Sequence, residues 1–132
     1  MTPVKLTSAS SEISWEPETR LARVRYTPGA TLTLKDSDFL VQALTGWIGA
    51  EGEPFAVLAY ASGLRGTDAE YRAKTSAFFR RYRDIGYIAL IDVGPVIRIV
   101  VELFRVGTGI QLKTFTSEAA AHEWLRTMGI AA

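Results

Sequence analysis

Two short, almost wholly apolar runs constrain the fold of this 132-residue chain more than any other feature: Phe-Ala-Val-Leu-Ala-Tyr-Ala at 55–61 and Tyr-Ile-Ala-Leu-Ile-Asp-Val at 87–93. A run of this length, apolar at nearly every position, fits a strand covered on both faces. Segments of helical period surround both runs. In 35–48, Phe39, Leu40, Ala43, Leu44, Trp47 and Ile48 stack on one face, and Gly49 and Gly52 end the pattern. A second helix is predicted from Thr67 to about Asp84, with Ala73, Ala77, Phe78 and Tyr82 inward and Gly86 as its stop. Thr67-Asp68-Ala69-Glu70 has the spacing of a capping box, with Thr67 as the cap. The last helix opens at Thr116-Ser117-Glu118 and carries Ala121, Trp124, Leu125 and Met128 at i, i+3, i+4 and i+7. Strands that alternate with helices imply a mostly parallel sheet built from right-handed crossovers.

The two ends of this frame are read from alternation. Ile13 and Trp15 alternate with polar neighbours in 11–16, and Ala22, Val24 and Tyr26 do so in 20–26. Pro17 and Glu18 lie between them, so a hairpin is expected, its first strand antiparallel at the sheet edge. Residues 110–115 form a further strand. Residues 1–10 are largely polar and are expected to be a flexible, frayed terminus, with one domain over 11–132. Residues 96–106 are rich in Val and Ile, which favours a strand. Arg98, Glu102 and Arg105 are spaced by four and three, however, which favours a helix with one polar stripe. The expected order is β-β-α-β-α-β-α-β-α, an α/β fold of about five strands and four helices.

Composition removes several function classes. The apolar fraction is 48% and the charged fraction 22%, a globular balance. Fifteen basic and 14 acidic residues give a net charge of +1, so no long-range field draws the chain to nucleic acid or anionic lipid. Without cysteine there are no disulfides or thiolate sites, and without asparagine no N-glycosylation acceptor. The first residues, Met-Thr-Pro-Val-Lys-Leu-Thr-Ser, lack the apolar core of a signal peptide, and no run approaches the ~20 apolar residues of a spanning helix. The expected location is the cytoplasm, and an integral membrane protein is not expected.

Three stretches resemble the STAS-like, SpoIIAA-like families, whose prototype is a bacterial anti-sigma-factor antagonist. They are Tyr-Thr-Pro-Gly-Ala-Thr-Leu-Thr-Leu at 26–34, the strand–loop–helix at 55–82, and Lys-Thr-Phe-Thr-Ser-Glu-Ala-Ala-Ala-His-Glu-Trp-Leu at 113–125. The resemblance covers roughly 11–128, in element order more than in identity. It implies a SpoIIAA-like fold and regulation through protein–protein contact; some relatives resemble lipid-binding domains. It also implies that Asp68 matches the aspartate preceding the prototype's phosphorylated serine. Ala69 stands at the serine position, so the phosphoacceptor is missing there.

Individual residues give little chemistry. His122 is the sole histidine and flanks the apolar stripe of the last helix. No metal-ligand spacing appears, and no cofactor motif is present. Asp36 and Asp38 suit a helix N-terminus. Asp92 ends a central strand, where open parallel sheets bind ligands. With Thr67 and Asp68 it forms the candidate loop site. Ser62-Gly63-Leu64-Arg65-Gly66 lacks both the P-loop and the dinucleotide pattern. Arg80, Arg81 and Arg83, with Phe79 and Tyr82, point in different helical directions, so nucleic acid is not an expected partner.

The 96–106 helix is the sharper feature. At about 100° per residue its three charged residues fall within about 60°, and apolar positions sweep about 220°. Packing on a sheet needs roughly 100° or somewhat more. The surplus should be covered by a second copy, a partner protein or a lipid. Ile97, Val101 and Phe104 form one candidate interface; Val96, Ile99 and Leu103 form the other side. The expected function is a non-enzymatic regulatory interaction module, with self-association into a homodimer. The alternative is a binder of a lipid or other small apolar ligand.

Overall fold

The computed structural model describes residues 4–50 and 52–130. In chain order the elements are β1 (Val4–Thr7), β2 (Ser11–Glu16), β3 (Leu21–Tyr26), β4 (Thr31–Leu32), α1 (Leu34–Ile48), β5 (Phe55–Tyr60), β6 (Gly66–Thr67), α2 (Ala69–Arg81), β7 (Gly86–Ile91), α3 (Pro95–Thr108), β8 (Gln111–Phe115) and α4 (Glu118–Thr127). Six strands make one sheet in the order β1-β2-β3-β5-β7-β8, and β4 pairs with β6 in a separate two-residue ribbon. The β3–β5, β5–β7 and β7–β8 pairings are parallel; β1–β2 and β2–β3 are antiparallel.

The expected α/β fold is therefore present, with three strands more than expected: β1 in the main sheet, and β4 and β6 in the ribbon. Residues 4–7, read as a frayed end, pair with β2 and displace it from the edge; residues 1–3 lie outside the described residues. Val4 and Leu6 face the same way as Ile13 and Trp15 but remain exposed. A four-residue strand exposed at every position leaves no buried period to read.

Strand alternation splits the core in two. Phe55, Val57 and Ala59 of β5, with Ile13, Trp15, Val24 and Ile88, pack against α1, α2 and α3. Ala56 and Leu58, with Leu21, Ala89 and Ile91, pack against α4 through Ala121, Trp124 and Leu125. Trp15 stacks on Trp47 with centroids 5.8 Å apart, which fixes α1 over the hairpin. Arg20, in left-handed backbone at φ 55°, donates to the Ile48 carbonyl at 2.9 Å and so ties the hairpin turn to the end of α1. Gly86 is required by contact: a Cβ there would lie 3.0 Å from Phe55, Ile110 and the Tyr82 carbonyl.

Two local readings are corrected. The cap of α2 is Asp68, whose carboxylate accepts from Tyr71 N–H at 2.8 Å. Thr67 belongs to β6, and its carbonyl and hydroxyl accept from Arg72 at 2.5 and 3.1 Å. A neighbouring Asp one residue on competes better for the cap when Thr67 is held extended by its pairing with Leu32. The buried face of α2 is Tyr71, Thr75, Phe78 and Phe79, while Ala73 and Ala77 are exposed. The helix turns its aromatics inward and its alanines out.

Two stability measurements check this frame. Trp124, buried between Phe115 and Tyr87, should cost ~3–5 kcal/mol on replacement by alanine. A urea midpoint for Trp124→Ala close to wild type would mean α4 does not hold the second face. Asp68→Ala should cost ~1 kcal/mol and more than Thr67→Ala in the same titration; the opposite ranking would return the cap to Thr67.

Candidate functional site

The entry and exit of α3 are set by backbone chemistry. Gly94 is the N-cap, Pro95 opens the first turn, and Gly109 closes the helix in left-handed backbone at φ 74°. Between them Ile97 and Val101 are buried, and Phe104 packs edge-on against Phe79 of α2 at 5.7 Å. The candidate interface of Ile97, Val101 and Phe104 is thus a core face, and that assignment is corrected. Both sides of α3 are apolar, so period alone could not choose between them. The Phe79 ring supplies a partner to Phe104 and turns this side inward.

The opposite side faces solvent. Val96, Ile99, Leu103 and Val106 are 70%, 66%, 69% and 74% exposed. Their spacing of three, four and three places them in one stripe along the helix. Beside it run Arg98, Glu102 and Arg105, the last two joined at 2.9 Å.

Beneath α2 and α3 lies a cavity of about 370 Å³. Its floor is Val57, Ala59, Ile88 and Leu90 of the sheet; its walls include Tyr71, Thr75 and Phe79 of α2 and Val100, Val101 and Phe104 of α3. The space follows from small side chains. Ala59, Ala61, Thr75 and Ser76 line it where larger residues would meet and fill it. At one part of the lining, the hydroxyls of Tyr26 and Tyr71 stand 3.5 Å apart. Burial pushes both phenols above their ordinary value, Tyr71 further because its contact with Tyr26 raises it while the same contact lowers Tyr26. Neither the cavity nor this pair was anticipated. Its signal in the sequence is faint: a tyrosine on an apolar strand face, and small residues at positions far apart in the chain.

The candidate loop site does not assemble. Asp68 is occupied by its cap and Thr67 by Arg72. Asp92 is exposed in left-handed backbone at φ 59°, its N–H donating to the Phe115 carbonyl at 3.0 Å. Among the described residues no hydrogen bond or ion pair joins the three side chains; only Thr67 of them lines the cavity. The Ser62–Gly66 stretch is a structural connector: Gly63 accepts from Gly29 at 2.7 Å and Arg65 N–H donates to Ala30 at 2.9 Å. Asp36 accepts from the Thr33 N–H at 2.8 Å, a capping role, and Asp38 pairs with Lys74.

His122 is half-buried on the other sheet face, its Nε2 3.4 Å from Arg23, which also bridges to Glu16 and Glu118. In the arginine cluster, Phe79 is core, Arg81 lies over Phe78 at 5.7 Å, and Arg80 donates to the Gly107 carbonyl. No group of acidic or histidine side chains among the described residues could hold a metal ion, and none of their helices is long and apolar enough to cross a membrane.

Because the folded state holds these phenols protonated above their ordinary value, their contribution is intact below about pH 10, the unfolded tyrosine value, and is lost as pH rises beyond it. The melting temperature should therefore fall above that pH, and Tyr71→Phe should flatten the fall. An identical alkaline profile in Tyr71→Phe would show that the phenol is not desolvated.

No family model matches the chain, and no curated protein matches it. Solved structures do. A protein of the DUF3478 family from Shewanella loihica, described as having a SpoIIAA-like fold, superposes with a TM-score of 0.65 at 14% identity, over 94% of this chain and 92% of its own. The anti-sigma factor antagonist SpoIIAA, in its unphosphorylated form, gives 0.58 at 12% identity over 95% and 98%. The murine Solute Carrier 26 family member A9 anion transporter gives 0.58 at 16% identity, over 96% of this chain but only 22% of the transporter. Helix order, sheet topology and these superpositions agree on one conclusion: the chain has the SpoIIAA-like, STAS-like fold.

Proposed function

We propose that the protein is a non-enzymatic regulatory module that docks a partner protein through the outer face of α3. The observation that carries this is the stripe of Val96, Ile99, Leu103 and Val106, each about two-thirds or more exposed. Scattered apolar residues on a surface need no explanation, whereas four large ones in line on one helix do. An apolar centre with charged neighbours at its edge is how protein interfaces are built, and an apolar helix face seated in a partner's groove is a recurring form of recognition.

The size of the face bears on what covers it. A helix of 14 residues is about 21 Å long. One stripe of that length falls short of the roughly 800 Å² per partner of a standard stable interface. This supports a transient contact with a different protein, with homodimerisation through the same stripe as a weak, concentration-dependent event. The likeness to an anti-sigma factor antagonist supports a protein as the partner and the cytoplasm as the location.

The two sides of α3 make the reading testable. Val101→Lys puts a charge in the core and should unfold the domain by circular dichroism. Ile99→Lys should keep the spectrum and melting temperature of wild type yet lose any partner that wild-type protein captures and that Lys113→Glu, on β8, retains. Sedimentation of both folded proteins across the micromolar range separates self-association from a foreign partner. Equal capture by Ile99→Lys and wild type would remove α3 as the docking face.

A further inference from the structure

We infer that the cavity beneath α2 and α3 is a binding site for a small, uncharged, mostly apolar molecule that carries one hydrogen-bonding group. This does not rest on the docking of a protein at α3, whose stripe of Val96, Ile99, Leu103 and Val106 meets the cavity lining at Leu103 alone.

Size comes first. The pocket, partly open to solvent, measures about 370 Å³, within the range of small-molecule sites. A cavity of about 150 Å³ accepts benzene. On that scale there is room for roughly a dozen heavy atoms, such as two fused rings or a short branched chain. Water fills such a space poorly, because an ordered water needs two to four polar partners and this lining is predominantly Ala, Val, Ile, Leu and Phe.

Charge comes second. Among the described residues Arg72 is the one charged residue that lines the cavity; it is exposed, and its guanidinium donates to the Thr67 carbonyl and hydroxyl. The interior thus offers no counter-ion, and an ionised ligand there would be desolvated without a partner. Polarity comes third. Tyr26 and Tyr71 each bring a donor and acceptor oxygen, and the contact between them settles at most one of the two donors. A carbonyl, ether or hydroxyl on the ligand would find a hydrogen bond there. Burial keeps both phenols in the protonated, donating form.

Isothermal titration calorimetry with 1-naphthol, naphthalene and decanoate tests each part. 1-Naphthol should bind best, naphthalene about five- to tenfold more weakly for want of the hydrogen bond, and decanoate weakest. Tyr71→Phe should bring 1-naphthol down to the naphthalene level while leaving naphthalene unchanged. Ser76→Phe, which fills the cavity from α2, should abolish binding of both. Should Ser76→Phe fail to fold, amide chemical shifts of wild-type protein serve instead: 1-naphthol should perturb Ala59, Ala61 and Tyr71 and leave Val96 and Ile99 unmoved. Three results overturn the inference. One is absence of heat and of shifts with both aromatic probes. Another is tighter binding of decanoate than of 1-naphthol, which would assign a charged amphiphile. The third is perturbation confined to the outer stripe of α3.

Discussion

Everything in this fold depends on β5 being dry on both faces. Phe55, Ala56 and Leu58 are fully buried, pointing alternately to opposite sides. A strand of this kind forms no stable surface of its own, so a layer of helix must cover each side. The parallel pairing of β5 with β3 and β7 then requires crossovers, and α1 and α2 are those crossovers. The hairpin at the other end of the sheet needs none, which is why β1 and β2 follow one another through tight turns.

The two covering layers are unequal, and the cavity is a consequence. Three helices share one face and α4 alone serves the other. On the α4 side, Trp124 and Leu125 meet Leu21, Leu58 and Ile91 directly. On the other side α2 and α3 lie over Ala59 and Ala61, and α2 brings Thr75 and Ser76 to the same place. Small residues on facing elements leave a gap that neither helix can close without losing its contact elsewhere: α2 is held to Phe55 through Tyr82 and α3 to α2 through Phe104 and Phe79.

Most of the architecture was legible because it rests on period. The β-hairpin, β5, β7, β8 and all four helices follow alternation or the 3.6-residue repeat, and the polar stripe of Arg98, Glu102 and Arg105 correctly outweighed the strand propensity of α3. What escaped is what period does not encode. Ala73 and Ala77 fit either side of α2; the aromatic residues decided, since Tyr71 reaches Tyr26 and Phe79 reaches Phe104. The cap moved by one residue because Thr67 is drawn into a ribbon with Leu32, a pairing between segments 35 residues apart in register. Thr67, Asp68 and Asp92 looked like one site only because all three lie near carboxyl ends of strands; their hydrogen bonds give each a separate local role. The cavity is formed by small side chains on the β5 segment and on α2 at once, under α3, and no single segment records it.

Folding draws on one side of α3, and the docking proposed above would draw on the other. Ile97 and Val101 hold the helix to the sheet, and Thr108 ends it with its hydroxyl donating to the Phe104 carbonyl at 2.8 Å. Val96, Ile99, Leu103 and Val106 remove little water from themselves on folding, so the hydrophobic effect gives them small reason to be apolar. Polar residues at such exposed positions are usually neutral to within about half a kcal/mol and better helix formers than valine or isoleucine. Solubility also argues against a bare apolar stripe. Neither helix propensity, core packing nor solubility accounts for these four side chains, whereas the proposed contact with an apolar surface on another molecule would.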